Sequence, residues 1–391
     1  MRKTLIIIAV VMAAFPLRAQ NLESILSSVE RNNTTLKVLR AEADAAKAEA
    51  RTGLTPADPE LELGYLWGTP KEEGNRIDLG LTQSFDFPTV YRFRKLIADG
   101  EATIADLEYE AGRKELLEEA EKICITIVYH NALKAILSRR MESAGIIADA
   151  WQKKFDRGDC NALDLNKAVL NLVDARKDYE INEIDLKAAC EELVRMNGGV
   201  EISLEDEVFS ESLLPEDFES WYSRAAEGNP ELQAVAQSVS NAGNQLKLAK
   251  AEWLPKFSVG YVSERIAGTT LQGIGAGISI PLWEGKGKVK AAKAKSQALN
   301  AKMEDSALQF RNSLRNKYNQ ALGLQKLVCD YSAEVSRISS LDILDKALLG
   351  GEMTLIEYRM EQSLWYDALS NALESERDYH LLLAELHRVS R

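Results

Sequence analysis

Four short motifs occur twice in this chain, in the same order and at nearly the same spacing. Asn33-Thr-Thr-Leu36 returns as Asn229-Pro-Glu-Leu232, and Pro59-Glu-Leu-Glu-Leu-Gly-Tyr65 returns as Pro255-Lys-Phe-Ser-Val-Gly-Tyr261, both 196 residues later. Gly80 returns as Gly277 after 197 residues, and Gly158-Asp-Cys-Asn-Ala-Leu-Asp164 returns as Gly351-Glu-Met-Thr-Leu-Ile-Glu357 after 193. Ordered anchors with so little drift imply a duplicated unit of roughly 190 residues, too long and in too few copies for a stacked solenoid. Whatever one copy folds into, the chain must accommodate twice. The first repeat covers 21–199, an acidic segment covers 200–228, and the second repeat covers 229–391.

Within a copy the punctuation is clear. Thr55-Pro-Ala-Asp-Pro59 ends an alanine-rich helical run, because proline lacks the N–H a helix needs and biases the residue before it toward extended backbone. Leu61, Leu63, Tyr65 and Trp67 then alternate, as do Ile77, Leu79, Leu81, Gln83 and Phe85 after a polar turn over 69–75. A period of two puts each set on one face of a strand, so β-hairpins are expected at about 60–87 and 256–283. From Val90 to about Arg157 no proline interrupts the chain. At 1.5 Å per residue that is a helix of roughly 100 Å. Leu116, Ala120, Ile123 and Ile127 mark a narrow seam on it, and 3–4 spacing from Leu165 to Leu193 marks another on a return helix that ends at Asn197-Gly-Gly199. Helical hairpins are therefore expected at about 90–197 and 286–389, bending near Gly158 and Gly351.

Met1–Gln20 reads as a secretory signal: Arg2 and Lys3, an apolar run from Leu5 to Leu17, then Ala19, with cleavage expected after Ala19 or Gln20. The run is too short to span a bilayer, and no later run reaches that length. The net charge of −12 lacks the basic footprint of a nucleic-acid binder. Cys124, Cys160, Cys190 and Cys329 match no metal or small-scaffold spacing, and the sequence does not pair them. His130, His380 and His387 form no ligand cluster, and no nucleotide loop or nucleophile elbow occurs. No catalytic residue, cofactor or metal site is expected.

Strands of nine to eleven residues are about long enough to cross a bilayer when tilted. Aromatics crowd their ends: Tyr65, Trp67, Phe85, Phe87 and Tyr91 in the first copy, Trp253, Phe257, Tyr261 and Trp283 in the second. That distribution fits an interfacial girdle, although a small soluble sheet packed on helices would also use such strands. If the strands face lipid, four of them cannot close a barrel, and open edges in hydrocarbon are prohibitive. Several chains would then have to pool their strands, and three chains would give twelve.

The duplicated layout is specific when taken with Leu81-Thr-Gln-Ser-Phe-Asp-Phe-Pro88, Ile278-Ser-Ile-Pro-Leu-Trp283 and the two bend motifs. It resembles the TolC-like outer membrane efflux proteins over the whole chain from about Asn21. The resemblance implies a mainly α fold with a small β part: duplicated long helical hairpins and four transmembrane strands per protomer, joined in a homotrimer as a twelve-stranded barrel over an α-helical periplasmic tunnel. It implies a passive, non-enzymatic conduit for small molecules or metal cations. Its partners would be outer-membrane lipid, a periplasmic adaptor and an inner-membrane pump of the RND type. It places a periplasmic gate at Glu357 and its repeat partner Asp164. Adaptor-docking tips fall at Phe155, Gly158, Leu348, Gly350 and Gly351, and strand–helix junctions at Pro88 and Pro281. The family often carries a second acid three positions beyond the gate residue, where this chain has Met360.

Each of these positions also has a plain reading: solvated helix carboxylates for Glu357 and Asp164, helix termination for the glycines, packing for Phe155 and Leu348. A periplasmic coiled-coil adaptor or scaffold without a barrel is the alternative function, and a general porin would need many more strands. The Phe85–Tyr91 junction resembles the heavy-metal branch of the family, with drugs or detergents as the other cargo.

Overall fold

The computed structural model describes residues 22–69, 74–210, 213–266, 268–283, 285–335 and 341–390. The signal segment, its cleavage position and the centre of the first hairpin's turn lie outside the described residues. The elements are α1 (22–32), α2 (Thr34–Ala50), β1 (Glu60–Leu66), β2 (Arg76–Phe85), α3 (Pro88–Asp156) and α4 (Ala162–Met196). They continue as α5 (Phe218–Glu227), α6 (Pro230–Ala251), β3 (Lys256–Ile266), β4 (Thr269–Ser279), α7 (Lys288–Val335), α8 (Leu341–Gly350) and α9 (Leu355–Ser390). The chain falls into two compact units, and each draws on both repeats: one holds 38–111 and 229–310, the other holds residues up to 37, 112–228 and 311–391.

The first of these units contains the sheet. All four strands join one antiparallel sheet in the order β1-β2-β3-β4. The two hairpins are sequential neighbours, and the strand pair that links the repeats is β2–β3, registered from Arg76↔Ile266 to Phe85↔Phe257. β1 has seven residues, shorter than the alternating pattern suggested; the other three strands have ten or eleven. Pro88 is the first residue of α3, where a missing N–H costs nothing. Pro281 stands apart from any element, between β4 and α7. On α6, Asn229 caps the helix by accepting from the Leu232 N–H at 2.9 Å, with Pro230 next.

The second unit is a packed set of helices. Asn33 is 3% exposed; it caps α2 through the Leu36 N–H and donates to the Met196 carbonyl at 2.7 Å. Asn33 thus separates α1 from α2. On α3 the buried stripe is wider than a two-position seam, taking in Leu116, Leu117, Ala120, Cys124, Ile127 and Val128, while Ile123 is only half-buried. Burial pushes the Cys124 thiol up to about 12, and all four cysteines are free. The α4 seam is narrower: Ala168, Ala175 and Asn182 recur every seven residues. Asn182 closes two hydrogen bonds with His130, on its ring at 2.8 Å and its carbonyl at 3.0 Å.

One ionic network ties three helices of this unit together. Lys122 on α3 pairs with Glu118 at 2.7 Å and with Glu385 on α9 at 2.6 Å. Lys317 on α7 meets Glu385 at 2.8 Å, and Arg388 meets Glu118 at 3.0 Å. Burial pushes the Glu385 carboxyl up, but its two lysine partners outweigh that and hold it below the ordinary carboxylate range.

Candidate functional site

Two places concentrate the features that the sequence singled out: the helix bends and the sheet. Both bends have the same backbone solution. At the end of α3 the Gly158 N–H donates to the Phe155 carbonyl at 2.9 Å, and the Asp159 N–H reaches back to Lys154 at 2.8 Å. At the end of α8 Gly351 donates to Leu348 at 3.1 Å, and Glu352 to Ala347 at 2.9 Å. This is the Schellman arrangement, which needs a left-handed residue at the turn. Gly158 and Gly351 supply it, with φ of 79° and 78°. Gly350 is the last helical residue of α8 and does not have positive φ.

A capped helix follows each bend. Asn161 accepts from the Asp164 N–H at 2.9 Å, and Asp164 itself meets Lys167 at 3.2 Å. Thr354 and Glu357 form a reciprocal capping box: Glu357 accepts from the Thr354 N–H and hydroxyl, both at 2.8 Å, and the Thr354 hydroxyl accepts from the Glu357 N–H at 3.3 Å. The Thr354 backbone N–H and then its hydroxyl hold the Glu357 carboxyl below its usual range. Glu357 and Asp164 are therefore both third-position helix acids, and each already serves the start of its own helix. Met360, one turn on from Glu357, is 64% exposed.

Beneath the bends the repeat symmetry breaks. Phe155 and Leu348 are equivalent positions, yet Phe155 is 41% exposed and Leu348 is 1%. Leu348 belongs to a core with Ile147, Trp151, Ala168, Leu355 and Tyr358. Tyr358 is also asymmetric, since its repeat partner is Leu165. Its phenol donates to Asp345 at 2.6 Å and accepts from Gln362 at 2.7 Å. Ser143 on α3 donates to the same carboxylate at 3.1 Å. Burial, with Asp345 adding to it, pushes the Tyr358 phenol well above its usual value. This cluster links the two helical hairpins, and sequence reasoning missed it. The one signal available was a tyrosine and a glutamine spaced i, i+4 in an apolar context.

The sheet inverts the polarity of a water-soluble one. Cross-strand register places Leu63 opposite Leu79, Leu81 opposite Tyr261, Phe85 opposite Phe257, and Tyr261 opposite Ile274. These share one face with Leu61, Val259 and Ile278, and that face is open: Leu61 is 71% exposed, Leu63 74% and Ile274 92%. The opposite face carries Glu62, Asp78, Gly80, Ser258, Gly260, Glu264 and Gly277, with Val262 and Leu271 among its exposed apolar residues. There Arg76 pairs with Asp78 at 2.8 Å and Glu264 at 3.0 Å. Two of its glycines are crowded, since a Cβ at Gly260 or Gly277 would press on the Leu81 carbonyl or the Ser258 hydroxyl, whereas Gly273 and Gly275 on β4 face open space. Along most of β2 and β3 the polar face is thus the tighter side and the apolar face the more open one, while β4 is exposed on both faces. Among the described residues, β1 and β4 each pair on one side only. No described helix is long and apolar enough to cross a membrane.

Comparison with known proteins agrees with this geometry. Residues 221–389 match the family model described as outer membrane efflux protein. No curated protein matches the chain in sequence. Among solved structures, the chain is similar to the Campylobacter jejuni CmeC outer membrane channel at 17% identity, covering 94% of this chain and 85% of that one, with a TM-score of 0.76. It is similar to the outer membrane protein VceC of Vibrio cholerae at 15% identity, covering 95% and 96%, with a TM-score of 0.76. A structure of CusC, reported in connection with transmembrane channel formation, aligns at 14% identity over 95% of this chain and 92% of that one, with a TM-score of 0.79. At such identities the likeness is one of fold.

Proposed function

We propose that this chain is a TolC-like outer-membrane efflux protein: the passive outer-membrane channel of a tripartite export system. The observation that carries the reading is the sheet, whose more exposed face along β2 and β3 is apolar and whose opposite face gathers the strand glycines and most of the charges. In water that arrangement leaves an unusually large apolar patch exposed; in a barrel wall it is the required one, with lipid outside and solvent within. The two half-paired edges then call for further strands. Three chains closing edge to edge give a twelve-stranded barrel, and because β1 and β4 run in opposite directions the closing pairs are antiparallel. The helices below form the periplasmic tunnel, which an adaptor engages at the bends and an inner-membrane pump of the RND type supplies. Phe155 and the turns at Gly158 and Gly351 are the exposed contact points, and buried Leu348 supports the second from beneath.

Fractionation of expressing cells tests this directly. The expected result is a heat-modifiable trimer in the outer-membrane fraction. A soluble periplasmic monomer overturns the proposal and restores the scaffold alternative. The cargo, metal cations or drugs, is distinguished by a deletion strain challenged with both. Lost metal tolerance with unchanged drug tolerance assigns the heavy-metal branch, and the reverse result excludes it.

Glu357 is the proposed gate acid. In a trimer three such carboxylates, with three from Asp164, would ring the mouth and favour cations. Glu357→Ala is expected to lower cation selectivity and block by multivalent cations in planar bilayers. An unchanged reversal potential and unchanged block confine Glu357 to its role in the capping box.

A further inference from the structure

We propose that the sheet-proximal ends of the helices form a basic collar that docks on the anionic phospholipid headgroups of the periplasmic leaflet. The inference rests on the membrane reading of the sheet given above. Register puts Glu60, Phe85, Lys256 and Ser279 at one end of the sheet, so all four helix junctions lie there. A Cβ at Gly285 would run into the Trp253 indole, which brings the start of α7 against the end of α6.

The charge at that end is against local expectation. Helix N-termini favour acidic side chains and disfavour basic ones. Four helices follow the rule, with Asp164, Glu219, Glu231 and Glu357 in the first turns of α4, α5, α6 and α9, while α2 has no acid in its first turn. At the sheet the rule is not followed. The first turns of α3 and α7 have no acid. Lys286, Lys288, Lys290, Lys293 and Lys295 are all exposed, and in the sequence no carboxylate occurs between Glu284 and Glu304. Only Lys288 among these is seen to pair, with Glu252 at 3.3 Å. Lys290 and Lys293 share one side of the helix, and Lys288 and Lys295 another. A partner helix would be met by one stripe; a charged surface beneath the barrel is met by charge all round. In a chain of net charge −12 this local excess needs a negative partner.

The position identifies that partner. The collar directly continues the apolar face, and between them stand Trp253 at 43% exposure and Trp283 at 78%. Indoles favour the headgroup level of a bilayer, and basic clusters beside a membrane segment favour anionic lipid.

The test uses the full-length protein reconstituted in phosphatidylcholine vesicles with trace spin-labelled phosphatidylglycerol or phosphatidylcholine, reading the motionally restricted lipid fraction. Each basic residue near an anionic surface is worth about fivefold in affinity. Wild type is expected to hold phosphatidylglycerol at least about fivefold more tightly at low salt. The preference should approach parity at 1 M salt, where the screening length is about 3 Å. K286Q/K290Q/K293Q should reduce it below about twofold, while the control R176Q/K177Q/K187Q on α4, which also removes three charges, keeps it. Equal retention of the two lipids by wild type overturns the collar, and that arm stands even where the triple variant fails to assemble. Retained preference in an assembled triple variant also overturns it, and an accompanying change in ion selectivity would place the lysines in the conduit. No restricted lipid of either kind overturns the membrane reading itself.

Discussion

Ile274→Arg is expected to abolish assembly in the outer membrane, whereas Gly275→Arg, one residue along, is expected to be tolerated. Ile274 sits at the centre of β4 on the apolar face, 92% exposed and opposite Tyr261. If that face met water, an arginine there would change stability by no more than about 0.5 kcal/mol. Facing lipid near the bilayer midplane, it costs about 2–4 kcal/mol per chain. In the proposed trimer that becomes roughly 6–12 kcal/mol per barrel, if the three sites act independently. Gly275 points to the other face, where an added Cβ meets nothing within 4 Å, so its arginine can reach the aqueous interior. The measurement is the yield of heat-modifiable trimer in isolated outer membranes. Equal yields for the two variants would mean that the apolar face is not lipid-facing.

The repeat makes much of this architecture legible in the sequence. Caps at Asn33 and Asn229, glycine turns at Gly158 and Gly351, and the two alternating hairpins are local devices. A duplicated local device appears in sequence as a duplicated motif. What joins the copies is not local. The β2–β3 ladder pairs Arg76 with Ile266 across the intervening helices, and no periodicity within either strand specifies that partner. The polarity of the sheet was half legible: alternation gave the faces, but only the register showed that the glycines and charges gather on one side. The tip was the least legible. Sequence equivalence made Phe155 and Leu348 a pair, and Tyr358 could not be anticipated from Leu165. A duplicated chain that packs its two halves against each other cannot keep equivalent positions in equivalent surroundings, and the divergence concentrates where the halves meet.

That divergence sets the second large effect. Leu348→Ala and Phe155→Ala alter equivalent positions, yet their costs should differ widely. Leu348 is 1% exposed among Ile147, Trp151, Leu355 and Tyr358. Truncating it removes about 2–5 kcal/mol, because a cavity is left as well as a transfer term lost. The loss should surface first in α8 and the start of α9, where the side chain joins the two. Hydrogen exchange there is expected to accelerate by at least about thirtyfold, the equivalent of roughly 2 kcal/mol in local opening. Phe155→Ala, at a 41% exposed site, should change exchange around the first bend by no more than about twofold. Its consequence should instead appear as weakened adaptor binding to an intact channel. Comparable exchange in the two variants would mean that the bends are held by their turns and caps alone. The buried core under the second bend would then have no part in keeping it closed.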